Sequence, residues 1–264
     1  MSFSSPTSMR MEMQRYKLII AYDGSAYAGW QVQPGMKTIQ GELEKSFHKL
    51  TGQTVKIHGS GRTDQGVHAF GQVGHLDLTD ALPPAKILQA LNSMLPPDIR
   101  LLKASPVKDD FHARRSAVGK EYRYLIWNGK VMPPFLYRYR AHIRRPLDLE
   151  AMRQAAGLLT GKHDFAAFTA NPNRIVESTV RTLSILAVRE KGNEVAIIAC
   201  GDGFLYRMVR SLAGFLIRVG QGELAPSEAE NILEQKKRTA VVPTAPPQGL
   251  FLWRVNYESV RRKQ

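Results

Sequence analysis

The chain has 264 residues, 43% of them apolar, with 37 Lys and Arg against 23 Asp and Glu and a formal charge of +14. That length holds one large domain or two packed halves, and the apolar share excludes an intrinsically disordered chain. The single cysteine, Cys200, excludes an internal disulfide and a multi-cysteine zinc site, and no apolar run reaches the ~20 residues of a membrane span.

Residues 1–15 are polar, with Pro6, Arg10 and Glu12 where a signal peptide would carry its apolar core. They are expected to form a flexible tail on a cytoplasmic protein. Residues 16–22, centred on Leu18, Ile19 and Ile20, read as a strand that Asp23, Gly24 and Ser25 turn out of. Thr38 is placed to cap a helix whose Ile39, Leu43, Phe47 and Leu50 share one face. Residues 55–58 read as a short strand, 70–78 as a longer one, 84–95 as a helix closed by Pro96 and Pro97, and 99–104 as a strand. The order β-α-β-β-α-β predicts a ferredoxin-like half over residues 16–108.

Residues 109–264 vary the same theme. Strands are expected at 122–127, 180–190, 194–200 and 250–257, the middle pair joined by the hairpin turn Lys191-Gly192-Asn193. Helices are expected at 149–159, 205–220 and 227–235. The fold class is therefore α+β: two ferredoxin-like halves, their antiparallel sheets joined into one extended mixed sheet, helices on one face and a cleft between the halves. The join near residues 106–111 lacks Gly/Ser linker composition and is expected to be a tight seam.

The excess of positive charge favours a polyanionic partner. Arg138, Arg140, His142, Arg144 and Arg145 interleave with Tyr137 and Tyr139, a mixture suited to the phosphates and unstacked bases of RNA. This segment is the candidate RNA surface, with a subunit contact as its rival. Lys236, Lys237 and Arg238 form a second cluster, and Arg261, Arg262 and Lys263 a third that reads as a solvated tail.

The densest unusual segment is Gly59-Ser60-Gly61-Arg62-Thr63-Asp64-Gln65-Gly66-Val67-His68-Ala69. It puts a carboxylate, a guanidinium, hydroxyls and an imidazole on one glycine-rich loop, a common way to build a site. The alternative is an ordinary loop in which Asp64 makes an Asx-turn, with Arg62 a phosphate contact and His68 packed. No second carboxylate stands near Asp64, no His/Asp/Glu group has metal-ligand spacing, and no P-loop is present. His163-Asp164 reads as a turn, and Cys200 as a core residue. The chemistry is that of a lone carboxylate, with no metal or cofactor expected.

The run from Gly61 to Ala69 resembles the signature of the tRNA pseudouridine synthases of the TruA family. Further segments agree in order: Tyr22-Asp23-Gly24 with Tyr27-Ala28-Gly29-Trp30-Gln31, Thr38-Ile39-Gln40-Gly41-Glu42, Phe111-His112-Ala113-Arg114 with Tyr122-Arg123-Tyr124, Phe204-Leu205-Tyr206-Arg207-Met208-Val209-Arg210, and Ala245-Pro246-Pro247 with Gly249-Leu250. The 1–15 extension, the short 31–38 loop and the Tyr206-Arg207 pair depart from the family pattern.

The resemblance implies isomerisation of uridine to pseudouridine at tRNA positions 38, 39 and 40, in the anticodon stem-loop, by a homodimer. It implies Asp64 as nucleophile, Arg210 as its partner, Tyr122 against the target base, and Arg62 on the flipped nucleotide's backbone. Without it, Tyr122 reads as an ordinary strand aromatic, Arg210 as a solvated helix residue, and Leu205 as core or pocket wall. A non-catalytic RNA-binding protein is the alternative function, and a nucleic-acid hydrolase a third.

Overall fold

The computed structural model describes residues 13–170 and 177–257. The expected tail up to residue 12 and the Arg261, Arg262 and Lys263 cluster lie outside the described residues. The first half runs β1 (Gln14–Tyr22), α1 (Ile39–Thr51), β2 (His58–Gly59), β3 (His68–Leu78), α2 (Pro84–Met94), β4 (Ile99–Val107). The second runs β5 (Ala117–Trp127), β6 (Ala141–His142), α3 (Leu149–Leu159), β7 (Gly161–Asp164), β8 (Val180–Lys191), β9 (Glu194–Gly201), α4 (Met208–Gly220), α5 (Glu228–Gln235), β10 (Leu250–Tyr257).

These strands form one sheet in the order β4-β1-β3-β10-β5-β9-β8-β7, with β2 on β3 and β6 on β5. In the first half β1 lies antiparallel between β4 and β3, and β2 pairs β3. The second half repeats that plan: β5 lies antiparallel between β10 and β9, and β8 follows β9. Two ferredoxin-like halves thus share one mixed sheet, as the sequence predicts. The buried strand residues, such as Leu18, Ile20, Leu252, Tyr124, Ile197 and Val188, fall on one face, which the helices cover. Among the described residues no helix is long and apolar enough to cross a membrane.

The halves meet at a fork. β10 runs parallel to β3 at Phe251↔His68 and Leu252↔Ala69, whereas β2 holds the same edge of β3 at Gly74 and His75. Residues 60–67, which link β2 to β3, leave the sheet where one partner of β3 gives way to the other. A loop at such a fork has strand ends on both sides of it, and the cavity described below opens there.

Several bounds differ from expectation for identifiable reasons. The first strand begins at Gln14 and includes Arg15, whose guanidinium grips Asp77 of β3 at 2.7 and 2.8 Å. The expected strand at 55–58 shrinks to His58–Gly59. β4 continues through Pro106 to Val107, because the outer edge of the sheet's end strand needs no N–H donor. β5 starts five residues early, at Ala117. The helix expected from 205 begins at Met208, because Arg207 is left-handed, at φ 56° and ψ 14°. β6 and β7, absent from the sequence reading, are strands of two and four residues, too short for a periodicity. His163 and Asp164, read as a turn, lie in β7. α1 matches its signals: Thr38 Oγ1 accepts the Gly41 N–H at 3.2 Å, and Ile39, Leu43 and Phe47 are buried.

Candidate active site

The 60–67 loop is tied from three directions. Ser60 donates its N–H to the Val73 carbonyl at 2.7 Å and its hydroxyl pairs with Gln72 Oε1 at 2.7 Å, while Gln72 Nε2 donates to the Gly61 carbonyl at 3.0 Å. The Thr63 hydroxyl pairs with the Tyr22 hydroxyl of β1 at 2.8 Å, and its carbonyl accepts the Trp30 N–H at 3.1 Å. Behind it the backbone of Gly29 comes so near that a Cβ there would lie 2.5 Å from the same carbonyl oxygen. The backbone leading into Asp64 is thus held at Ser60, Gly61 and Thr63, which fixes the point from which the carboxylate projects.

Two guanidiniums from the start of α4 meet its carboxylate. Arg210 Nη1 donates to Oδ2 at 3.1 Å. The same side chain is locked by Nε donating to the Ala245 carbonyl at 2.7 Å, and the Ala245 N–H donates back to the Arg210 carbonyl at 3.0 Å. Arg207 brings Nε to 3.6 Å from Oδ2, with its guanidinium over the Tyr206 ring. Among the described residues no hydrogen bond engages Oδ1. The two cations thus make their nearest approach to the carboxylate at Oδ2.

Asp64 lines a cavity of about 890 Å³, with Arg62, Lys120, Tyr122, Phe204 and Leu205 among the other walls. That volume accommodates a nucleoside with its flanking phosphates. Tyr122, only 8% exposed, meets the Phe204 ring edge-on at 5.0 Å. Burial, with Tyr22 and Asp64 nearby, pushes its phenol far above the ordinary tyrosine range, so it stays protonated. Leu205 is buried and lines the cavity. Arg62 is exposed at the cavity.

Arg138 and Arg140 do not line this cavity. The exposed Arg138 guanidinium bonds the Tyr137 hydroxyl at 2.8 Å, and Arg140 pairs with Glu194 at 3.1 Å. His68 is packed: its Nδ1 accepts the Gly24 N–H at 3.1 Å, its Nε2 meets the Arg138 carbonyl at 3.0 Å, and burial lowers its pKa, keeping it neutral. Cys200, expected in the core, is half-buried beside Glu121 on the other face of the sheet.

Sequence reasoning brings Asp64, Arg210, Tyr122, Leu205 and Arg62 to one place, and the structure does so too. It gave no role at the site to Lys120, Phe204 or Arg207. Lys120 has an alternation signal only, lying two residues before Tyr122 on β5 and sharing its face, while Phe204 lies in the loop between β9 and α4. Arg207 had none, because its direction depends on a left-handed backbone that no pattern of residue types announces.

The sequence model of the family described as tRNA pseudouridine synthase matches residues 18–114 and 155–258. A protein named tRNA pseudouridine synthase A from Exiguobacterium sp. is 47% identical over 248 residues, covering 94% of this chain and 100% of its own. Proteins of the same name from Listeria monocytogenes and Brevibacillus brevis are 46% and 44% identical, each over 93% of this chain and all of theirs. Among solved structures, a chain of the crystal structure of a Cbf5-Nop10-Gar1 complex aligns with 82% of this chain and 48% of its own, at 15% identity and a TM-score of 0.34, a weak likeness. With a loop carboxylate clamped by arginine beside a buried tyrosine, and relatives of this similarity along nearly its whole length, the chain belongs to the tRNA pseudouridine synthase family.

Proposed function

We propose that the chain isomerises uridine to pseudouridine at positions 38, 39 and 40 of the tRNA anticodon stem-loop, with Asp64 as the nucleophile. The observation that carries this reading is the asymmetric Asp64 carboxylate. Oδ2 accepts from Arg210, Oδ1 accepts no hydrogen bond among the described residues, and both belong to a cavity walled by Tyr122. A carboxylate kept only to bind RNA would repel phosphate.

The reaction is balanced within the substrate. The bond from N1 to C1′ breaks, a bond from C5 to C1′ forms, C5 gives its proton to solvent and N1 regains one. No oxidant or group donor is needed. Asp64 supplies the nucleophile that detaches the base, and Arg210 orients the carboxylate through Oδ2. Tyr122 offers a flat face to the freed uracil and a protonated phenol near it. The target must leave its stack, at a cost of a few kcal/mol that phosphate contacts offset. Arg62, exposed at the cavity, is one such contact; Arg138, exposed outside it, belongs to a wider tRNA surface that Arg140 supports through Glu194. The homodimer is part of the same proposal, with one tRNA lying across both subunits.

The test is tritium release from tRNA labelled at C5 of uridine, with wild type and Asp64→Asn, in EDTA, followed by mapping of pseudouridine along the product. Release by wild type, none by the variant, and new pseudouridine confined to positions 38–40 are expected. A folded Asp64→Asn protein that keeps full release refutes the nucleophile. Tight tRNA binding without release by wild type favours the non-catalytic RNA-binding alternative. Sedimentation at micromolar concentration checks the dimer.

A further inference from the structure

We infer that Lys120 is a phosphate-binding residue of this cavity, its ammonium on β5 taking a phosphate oxygen of the nucleotide that enters beside Asp64. The inference rests on the reading of the cavity as a uridine-nucleotide site given above.

Lys120 lies two residues before Tyr122 on the same face of β5, and both side chains line the cavity. Its Nζ donates one hydrogen bond, to the Ser60 carbonyl at 2.7 Å. The loop is shaped to admit it: a Cβ at position 61 would lie 3.2 Å from Nζ, and the residue there is glycine. A lysine ammonium has three donors, so two remain. Among the described residues no carboxylate pairs with it, and the charge that acts on it is the like charge of Arg114, on the segment before β5.

This is an unusual place for a cation. Lys56, Arg62 and Arg114 also line the cavity, but they are exposed and water solvates them. Lys120 is largely withdrawn from water, and the cost lowers its pKa to about 8. A buried charge facing no countercharge is destabilising, and a neutral donor would hold the Ser60 carbonyl without that cost. The charge makes physical sense once a phosphodiester arrives, because a compact ammonium is a natural point-charge partner for phosphate. Arg210 and Arg207 do not fill this role, since both are engaged with Asp64.

The experiment compares wild type, Lys120→Met and Lys120→Arg in tRNA binding across salt concentration and pH, with C5 tritium release alongside. Lys120→Met is expected to bind tRNA about tenfold more weakly and to lower the slope of log affinity against log salt by about one, the signature of one lost phosphate contact. Lys120→Arg restores both. Wild-type affinity falls as pH rises from 7.5 to 8.5, while that of Lys120→Arg stays level. The other charged or titratable groups lining the cavity are Asp64, Lys56, Arg62, His58, His112, Arg114, Arg207, Tyr122 and Tyr206, and Lys120→Arg keeps all of them.

A folded Lys120→Met protein with unchanged affinity and salt slope overturns the inference, leaving the lysine as a tie to Ser60. Should Lys120→Met fail to fold, a Lys120→Arg protein whose affinity falls with pH as steeply as wild type overturns it as well. Absence of tritium release by wild type refutes the uridine reading and leaves the binding result to be judged by itself.

Discussion

Replacing Gly29 with alanine drives a methyl group at the carbonyl that holds the Asp64 loop. The new Cβ starts 2.5 Å from the Thr63 oxygen, and that oxygen must retreat by roughly 0.9 Å to reach ordinary contact at 3.4 Å. It has little freedom to do so, because it accepts the Trp30 N–H and its residue is anchored to Tyr22. The displacement is passed to the next residue, Asp64. A misplacement near 1 Å at a reacting group costs on the order of 100-fold in rate. The backbone adds strain, since φ at Gly29 is +95°, a conformation that costs an L-residue ~1–2 kcal/mol. Gly35 is the control: it also has positive φ, +71°, but a Cβ there meets nothing within 4 Å. Gly35→Ala is expected to lose ~1 kcal/mol of stability and no activity. Single-turnover tritium release with saturating enzyme, together with urea unfolding, separates the two effects. Equal release rates for Gly29→Ala and Gly35→Ala would refute the claim that the 29–30 backbone sets the position of Asp64.

Two further outcomes follow from residues outside that contact. Arg207→Asn suits the left-handed backbone better and is expected to raise Tm by about 2 °C while slowing release severalfold through loss of the second guanidinium beside Asp64; a lower Tm with unchanged rate would contradict it. His75 is buried with Nδ1 accepting the Ala113 N–H at 3.1 Å, and burial, with His112 and His58 beside it, lowers its pKa to about 4. The folded value lies below the unfolded ~6.5, so the neutral ring contributes stability above pH 6.5 that is lost as pH falls toward 4. A loss of about 1–2 kcal/mol at pH 5 relative to pH 7.5 is expected from urea midpoints, and His75→Gln should remove that part of the slope.

Local signals carried most of the fold. Thr38, the spacing of Ile39, Leu43 and Phe47, and the Lys191-Gly192-Asn193 turn each specify their element from neighbouring residues, and the structure has those elements where they were expected. The pairing of β10 with β3 has no local signal, since it joins Phe251 to His68 across most of the chain. The same distinction separates the site residues. Asp64 stands out within its own loop, whereas Arg210 and Tyr122 read as ordinary helix and strand residues until a resemblance groups them. Lys120 escaped notice because a lysine on an alternating strand reads as solvent-facing. Only the approach of Ser60 from another part of the chain withdraws it from water.

The fork at β3 also governs when the protein becomes competent. Asp64 and its partner Arg210 are separated by 146 positions, and the strand that takes over the edge of β3 is the last among the described residues. During synthesis the first half can assemble β4-β1-β3 and display its loop long before either cation or the closing strand has been made. The growing chain therefore carries an aspartate without its clamp, beside an unfilled strand edge. A nascent or C-terminally truncated protein holds Asp64 without Arg210 beside it, and the cavity is complete only after β10 has docked.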